Sequence, residues 1–115
     1  MKIKKTWWAN IYIGSYCKDT KTEVGPKVLK EICQEYCDEI GFCVTFTPTQ
    51  FFYTKGNEPG AIVGCINYPR FPRLNKENKK KVITLAKRLM KAANQHRVSI
   101  VMPDETVMLE RETDL

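Results

Sequence analysis

Residues 45–73 read TFTPTQFFYTKGNEPGAIVGCINYPRFPR, and this stretch decides the fold of the 115-residue chain. β-Branched and aromatic residues are frequent in both halves, and KGNEPG between them is rich in residues that favour turns. The pattern predicts a long β-hairpin whose second strand, Gly60–Tyr68, is central in its sheet because it is almost continuously apolar. Pro48 cannot donate a ladder hydrogen bond, so the first strand is expected at a sheet edge or with a bulge.

The segments on either side of the hairpin alternate between strands and helices. Alternating side chains predict a first strand at 7–13, and the apolar run 98–102 predicts another after the hairpin. Apolar residues at three- and four-residue steps predict helices over 26–40, between Pro26 and Gly41, and from Asn75 to about Asn94. Residues 106–110 have the composition of a short edge strand that returns as a C-terminal hairpin.

This order of elements predicts a ferredoxin-like α+β fold of the βαββαβ type. One antiparallel sheet is expected to carry both helices on one face, with an extra C-terminal β-hairpin as an addition. The chain length fits a single domain over residues 1–115. No apolar run is long enough to span a bilayer, and the basic N-terminus lacks the apolar core of a signal peptide. A cytoplasmic location without membrane contact is therefore expected.

The cysteines and the single histidine give no support for a metal, a cofactor or catalysis. The five cysteines are an odd set in a chain that can fold without disulfides, so reduced and mostly buried thiols are expected. They are Cys17, Cys33, Cys37, Cys43 and Cys65. Together with His96 they show no zinc-ligand spacing, and the sequence contains no Walker loop and no nucleophile elbow. The sequence therefore predicts no catalytic residues, and a protein that is not an enzyme.

An apolar patch is predicted on the sheet face that the helices leave open. Its members alternate with the core residues of the first and third strands. They are Trp8, Tyr12, Ile62 and Ile66. A patch of this kind is too apolar to face water, so an interface in a symmetric homodimer is the main expectation. A floor that binds a flat ring is the alternative.

The exit of the hairpin, Tyr68-Pro-Arg-Phe-Pro-Arg73, is the most suggestive chemical feature. Two prolines stiffen the backbone, Arg70 and Arg73 have the fork geometry that suits phosphate, and Tyr68 and Phe71 can stack on a base. Lys55 and Tyr53, near the hairpin turn, are added as a further phosphate contact and a further stacking ring. In the alternative, Phe71 fills the edge of the core and the arginines cover apolar surface with their stems.

The run GFCVTFTPTQFFYTKGNEPGAIVGCINYPRFP resembles a family of small bacteriophage and prophage proteins. The resemblance covers most of the chain, and its most specific part is the motif Asn-Tyr-Pro-Arg-Phe-Pro. The matching positions are Trp8, Cys33 to Cys37, Gly41 to Thr45, Phe51 to Gly56 and Asn67 to Pro72. The resemblance implies a phage origin and an accessory role in the cytoplasm of the host bacterium, and it implies no particular activity.

Three functional hypotheses follow, the first of them favoured. The first is a non-enzymatic phage protein that binds an anionic nucleotide-like ligand, as in counter-defence by sequestration of a bacterial immune signal. The second is a protein-interaction module that inhibits or redirects a host protein. The third is nucleic-acid binding, which the net charge of +6 fits, although residues 60–68 lack the aromatic pattern of an RNA-recognition strand.

Overall fold

The computed structural model describes residues 1–115 and contains seven strands and three helices. In chain order they are β1 Trp8–Gly14, β2 Tyr16–Cys17, β3 Thr22–Glu23, α1 Pro26–Ile40, β4 Thr45–Tyr53, β5 Gly56–Ile66, α2 Asn75–Ala92, β6 Arg97–Val101, β7 Thr106–Glu110 and α3 Arg111–Asp114. Five strands form one antiparallel sheet in the order β4-β5-β1-β6-β7, and β2 pairs only with β3. The predicted ferredoxin-like α+β fold with its C-terminal hairpin is confirmed.

The two long helices begin and end where the sequence supplies suitable residues. Pro26 occupies the first position of α1, and Gly41 ends the helix in the left-handed conformation at φ 69°. Helix α2 ends two residues earlier than predicted because Asn94 takes a positive φ of 53°. The Asn94 N–H then donates to the Lys91 carbonyl at 3.2 Å, and the Gln95 N–H donates to the Met90 carbonyl at 3.0 Å. These two bonds form a Schellman motif, which fixes the chain direction after α2.

The hydrophobic core lies between one face of the sheet and helices α1 and α2. Alternate residues of β1 face it, so Ile11 and Ile13 are 1% and 0% exposed, and Leu89 of α2 is also 0% exposed. The other residues of β1 face away from the helices, where Trp8 pairs with Ile66 and Tyr12 with Ile62. The four residues predicted for the open face therefore lie together on it. Their role as a dimer interface stays a prediction.

The hairpin differs from the prediction in its turn and in its regularity. Lys55, at φ 60°, takes the positive φ that was expected at Gly56 or Asn57, so β5 begins at Gly56 instead of Gly60. Glu58 consequently belongs to the strand and pairs with Phe51. Pro48 causes no bulge, because β4 is an edge strand and the pairing with β5 is unbroken.

Two polar segments, for which no helix or strand was predicted from the sequence, are ordered. The polar loop after β1 forms the β2–β3 hairpin, and the C-terminal tail forms the short helix α3. The tail is held because the Asp114 carboxylate accepts a hydrogen bond from the Glu110 N–H at 2.8 Å. The Arg111 N–H also donates to the His96 carbonyl at 2.9 Å. These bonds connect the end of the chain to the loop between α2 and β6.

Candidate functional site

Two surface clefts lie near opposite ends of β5. The first, called here the Glu58 cleft, has a volume of about 190 Å³. It is lined by Tyr16, Cys17, Lys18, Glu58, Asn94, Gln95, His96 and Arg97. The second, called the exit cleft, has a volume of about 280 Å³ and is lined by Gly41, Phe42, Cys43, Tyr68, Phe71 and Arg73. The ends of β5 are roughly 33 Å apart at about 3.3 Å per residue, so the two clefts are separate.

Two side chains of the Glu58 cleft pack against Gly14, the last residue of β1. Gly14 pairs with Gly60 of β5, so two residues without side chains lie next to each other in the sheet. A methyl group at Gly14 would lie 2.9 Å from the side-chain oxygen of Gln95 and 3.0 Å from a carboxylate oxygen of Glu58. The Phe51 ring lies across Gly60. The absence of a side chain at Gly14 thus lets the oxygens of Gln95 and Glu58 come close to the end of β1, and its absence at Gly60 leaves room for the Phe51 ring.

The Gln95 side chain is held by the protein on one side only. Its amide nitrogen donates to the carbonyls of Tyr16 at 2.9 Å and Ala93 at 3.2 Å. Both amide hydrogens are therefore in use, and the amide oxygen is left to face the space above Gly14. The Schellman motif at the end of α2 places Gln95 at this point, and the Arg111 side chain donates to the Gln95 carbonyl at 3.3 Å.

The space above Gly14 suits a group that donates hydrogen bonds. The Glu58 side chain is half-buried and forms no ion pair or hydrogen bond within the chain, and the Gln95 amide oxygen accepts none. These two acceptors, one of them charged, match an ammonium group or a pair of hydroxyl groups. Lys18 and Arg97 also line the cleft, so the match depends on these two oxygens and not on the net charge of the lining.

Positively charged and aromatic groups lie at the rim of the Glu58 cleft. The Lys18 ammonium is 5.3 Å from the centre of the Tyr53 ring, so Tyr53 lies beside this cleft. The His96 ring contacts the carboxylate of Asp19, and hydrogen bonds from Thr20 lower the pKa of the Cys17 thiol. The rim thus joins the β2–β3 hairpin, the β4–β5 hairpin and the start of β6.

The exit cleft contains the hairpin exit that the sequence singled out. Arg73 donates to the Gly41 carbonyl at the end of α1, and its guanidinium lies 5.5 Å from the centre of the Phe42 ring. Phe71 is 57% exposed and does not fill the edge of the core. The Arg70 guanidinium lies 5.2 Å from the centre of the Phe71 ring. Burial raises the pKa of Tyr68 to about 12, so its hydroxyl stays protonated in the cleft at neutral pH.

The structure therefore separates the six residues predicted to bind a ligand. Tyr68, Phe71 and Arg73 line the exit cleft, and Arg70 lies against Phe71. Lys55 and Tyr53 lie near the turn of the β4–β5 hairpin, at the other end of β5, and cannot contact the same small ligand within one chain. Within one chain the structure does not bring all six into one site, because the segment from Lys55 to Arg70 spans the whole length of a strand.

The residues that sequence reasoning missed are Gly14, Glu58 and Gln95. Glu58 falls in the predicted turn, where a polar residue needs no explanation, and no ligand-binding role was predicted for Gln95. The available signal was a glycine at the end of each of two strands predicted to be neighbours, Gly14 and Gly60. Only the strand register shows that these glycines face each other.

Residues 1–115 contain neither a cluster of metal ligands nor a helix that could span a membrane. No group of three or more His, Cys, Asp or Glu side chains is arranged to hold a metal ion. All five cysteines are free thiols, of which Cys43 is exposed and Cys17, Cys33 and Cys65 are buried. None of the helices combines the length and the apolar character needed to cross a bilayer.

The fold is similar to that of a phage SAM lyase in two solved structures. The structure of that lyase in complex with S-methyl-5′-thioadenosine has a TM-score of 0.76 and 17% sequence identity, over 96% of this chain and 93% of that chain. The structure in the apo state has a TM-score of 0.71 and 18% identity, over 92% of this chain and 90% of that chain. No family model and no curated protein matches the sequence.

This comparison corrects the sequence-based expectation on one point and refines it on another. The prediction that the protein is not an enzyme is contradicted, because the protein that shares its fold along almost the whole chain is a lyase. The ligand of that lyase is a nucleoside without phosphate, so a nucleotide-like small molecule agrees with the comparison and a phosphate clamp has no counterpart in it. This chain is thus similar in fold to a phage enzyme that binds a thioether nucleoside.

Proposed function

We propose that the protein is a phage lyase that cleaves S-adenosylmethionine and releases S-methyl-5′-thioadenosine. The observation that carries the proposal is the likeness in fold to the phage SAM lyase over 96% of this chain. The Glu58 cleft supports it, because S-adenosylmethionine carries an ammonium group, a sulfonium and ribose hydroxyls, and the two acceptor oxygens suit such a ligand.

The proposed reaction requires neither a protein nucleophile nor a co-reactant. The carboxylate of the methionine part attacks its own Cγ and forms a new C–O bond, which closes a five-membered lactone. The bond between Cγ and the sulfonium breaks, and its electron pair passes to sulfur, which becomes the neutral thioether of S-methyl-5′-thioadenosine. No water, proton or redox partner enters. The protein contributes by holding the flexible chain in the reactive conformation, an effect of proximity and orientation.

We assign Glu58 and Gln95 to the substrate ammonium. A sulfonium has no hydrogen to donate, whereas an ammonium has three, and two acceptor oxygens converge above Gly14. Holding the ammonium fixes the Cα of the substrate, to which it is bonded. This limits the directions from which the substrate carboxylate can reach the substrate Cγ. The ammonium keeps its charge through the reaction, so this contact acts by binding and orientation.

The experiment is a product assay with purified protein and S-adenosylmethionine in H₂¹⁸O. We expect S-methyl-5′-thioadenosine and homoserine lactone in equal amounts, with no ¹⁸O in either when samples are taken early. Homoserine labelled at its hydroxyl oxygen would show that water attacks Cγ, which would refute the lactone route. Absence of S-methyl-5′-thioadenosine at all substrate concentrations would refute the lyase proposal itself.

The variant Glu58→Gln tests the assignment of the ammonium. Charge-assisted hydrogen bonds contribute about 1.5–3 kcal/mol, so kcat/KM for S-adenosylmethionine is expected to fall about 10- to 150-fold. Binding of S-methyl-5′-thioadenosine, measured by calorimetry, should not change, because this product has no ammonium. The matched control is Glu31→Gln, which removes an exposed carboxylate on α1. Equal weakening of both ligands by Glu58→Gln would show that Glu58 contacts the nucleoside instead.

A role in counter-defence remains part of the proposal in a changed form. Consumption of S-adenosylmethionine replaces sequestration of an immune signal, because the protein of similar fold is a phage lyase. Phage origin, action in the host cytoplasm and a homodimer that uses the open face remain predictions. Size-exclusion chromatography with light scattering tests the dimer. A thermal-shift panel of signalling nucleotides tests sequestration, and a shift larger than that with S-adenosylmethionine would favour the earlier idea.

A further inference from the structure

We propose that the exit cleft is a second binding site, which takes a planar aromatic ring carrying an anionic group, such as a purine nucleoside monophosphate. This inference goes beyond the proposed lyase function, because the exit cleft lies at the end of β5 that is remote from Glu58. It uses the part of the hairpin exit that neither the core nor the lyase site explains.

The aromatic ring at the mouth of the exit cleft is held in an exposed position. Phe71 is 57% exposed, and its N–H donates to the Tyr68 carbonyl at 2.9 Å in a tight turn. The turn is pinned on its far side, where the Arg73 N–H donates to the Asn67 side chain at 3.1 Å. Pro69 and Pro72 lie within the same segment and remove backbone freedom. A ring fixed in this way is available to a ligand at little cost in entropy.

The interior of the exit cleft is aromatic and of limited size. Phe42 and Tyr68 line it together with Phe71, so a flat ligand meets rings on more than one side. Small-molecule pockets usually range from about 300 to 1,000 Å³. The volume of about 280 Å³ lies just below that range and suits one base with one substituent, not a dinucleotide.

The charge at the exit cleft selects an anion. None of the six lining residues is acidic, and the Arg70 guanidinium takes part in no ion pair within the chain. The Arg73 guanidinium is already engaged by the Gly41 carbonyl, which leaves Arg70 as the group that can move onto an anion. Its place over the Phe71 ring puts this charge at the edge of the stacking surface. The exit cleft thus lacks the carboxylate that Glu58 contributes to the other cleft.

Alkylation of Cys43 measures occupancy of the exit cleft without reference to lyase activity. Cys43 lines the cleft and its side chain is exposed, so iodoacetamide reaches it in the free protein. The probe is adenosine 5′-monophosphate, with adenosine and ribose 5-phosphate as partial ligands. The rate of Cys43 alkylation is followed by mass spectrometry of the peptide.

We expect adenosine 5′-monophosphate to slow alkylation of Cys43 in a saturable way, with at least tenfold weaker protection by either partial ligand. The variant Arg70→Ala should weaken protection about tenfold or more and leave formation of S-methyl-5′-thioadenosine unchanged. The variant Glu58→Gln should leave protection unchanged. The proposal is overturned if millimolar adenosine 5′-monophosphate gives no protection of Cys43, or if adenosine protects Cys43 equally well. It is also overturned if protection is unchanged in the double variant Arg70→Ala/Phe71→Ala. A failure of the lyase proposal shows only in the product assay, so the two failures are distinguishable.

Discussion

Replacing Gly14 by alanine pushes one methyl group against the two oxygens that we assign to the substrate ammonium. The added carbon would lie 2.9 Å from the Gln95 side-chain oxygen and 3.0 Å from a Glu58 oxygen, whereas ordinary contact begins at 3.4 Å. Both oxygens must therefore move outward by about half an ångström, which displaces the proposed acceptors of the ammonium. The variant disturbs the proposed site without removing any polar group.

The expected loss is in activity and not in stability. Misplacement of a substrate by about 1 Å costs roughly 10²-fold in rate, so a displacement of about half that distance should lower kcat/KM for S-adenosylmethionine about tenfold. The atoms that must move are the ends of two flexible side chains, and Gly14 has no positive φ that alanine would strain. Alanine also reduces the entropy of the unfolded chain, which stabilises by about 0.4–1 kcal/mol. The melting temperature should therefore change by only a few degrees.

The matched control is Gly25→Ala, before α1. A methyl group there meets nothing within 4 Å, and the backbone φ of −64° is normal for alanine. This variant should keep full activity. Initial rates of S-methyl-5′-thioadenosine formation and thermal melts of the two variants form the assay. If Gly14→Ala keeps its kcat/KM within threefold of the unmodified protein, the two oxygens next to Gly14 do not hold the substrate.

Substitutions at three further positions test the fold and the support of the site. Leu89→Ala should cost about 2–5 kcal/mol in urea unfolding because Leu89 is fully buried, and a cost below 1 kcal/mol would contradict its place in the core. Asn94→Ala should be less stable than Asn94→Gly, by about 1–2 kcal/mol, and less active, because the left-handed turn at φ 53° positions Gln95 and both variants lose the hydrogen bond from Asn94 to the Cys17 sulfur. The hydrogen bond and charge of Arg88 hold the pKa of Glu39 below its usual 4.5. This pair should therefore stabilise the fold above pH 4.5 and stop doing so as the pH falls through the lowered pKa. Glu39→Gln should remove this pH dependence from the free energy of unfolding. If the dependence on pH is the same in Glu39→Gln, the pair contributes nothing to stability.

The fold was predictable because its elements are defined by local patterns. Alternation in β1, the apolar run of β5 and the Pro26 and Gly41 boundaries of α1 each depend on neighbours within a few residues. The start of β5 was missed because a non-glycine residue, Lys55, takes the positive φ of the turn. Sequence preference places that conformation on glycine, so the prediction moved the strand start to Gly60 and Glu58 into a loop.

The candidate site was not predictable because it depends on three segments that are distant in sequence. Gly14 ends β1, Glu58 lies on β5 and Gln95 follows α2, and their proximity is set by strand register and by the Schellman motif. The prediction of a non-enzyme failed for a chemical reason. It rested on the absence of nucleophile and base motifs. In the reaction proposed here the substrate supplies both nucleophile and leaving group, so such motifs are not required.

The net charge of +6 pointed to an anionic ligand, but local polarity decides what each cleft binds. Charges separated by more than about 8 Å are largely screened at physiological ionic strength. Arg70 lies beyond the opposite end of β5 from Glu58 and therefore has little influence on a ligand above Gly14. In the proposed function a cation binds in the Glu58 cleft of a basic protein because the oxygens of Glu58 and Gln95 accept its hydrogen bonds directly, although Lys18 and Arg97 also line that cleft. Because basic side chains outnumber acidic ones, Arg70 has no acidic partner and can attract an anion. One chain can therefore present one proposed site for a cation and another for an anion.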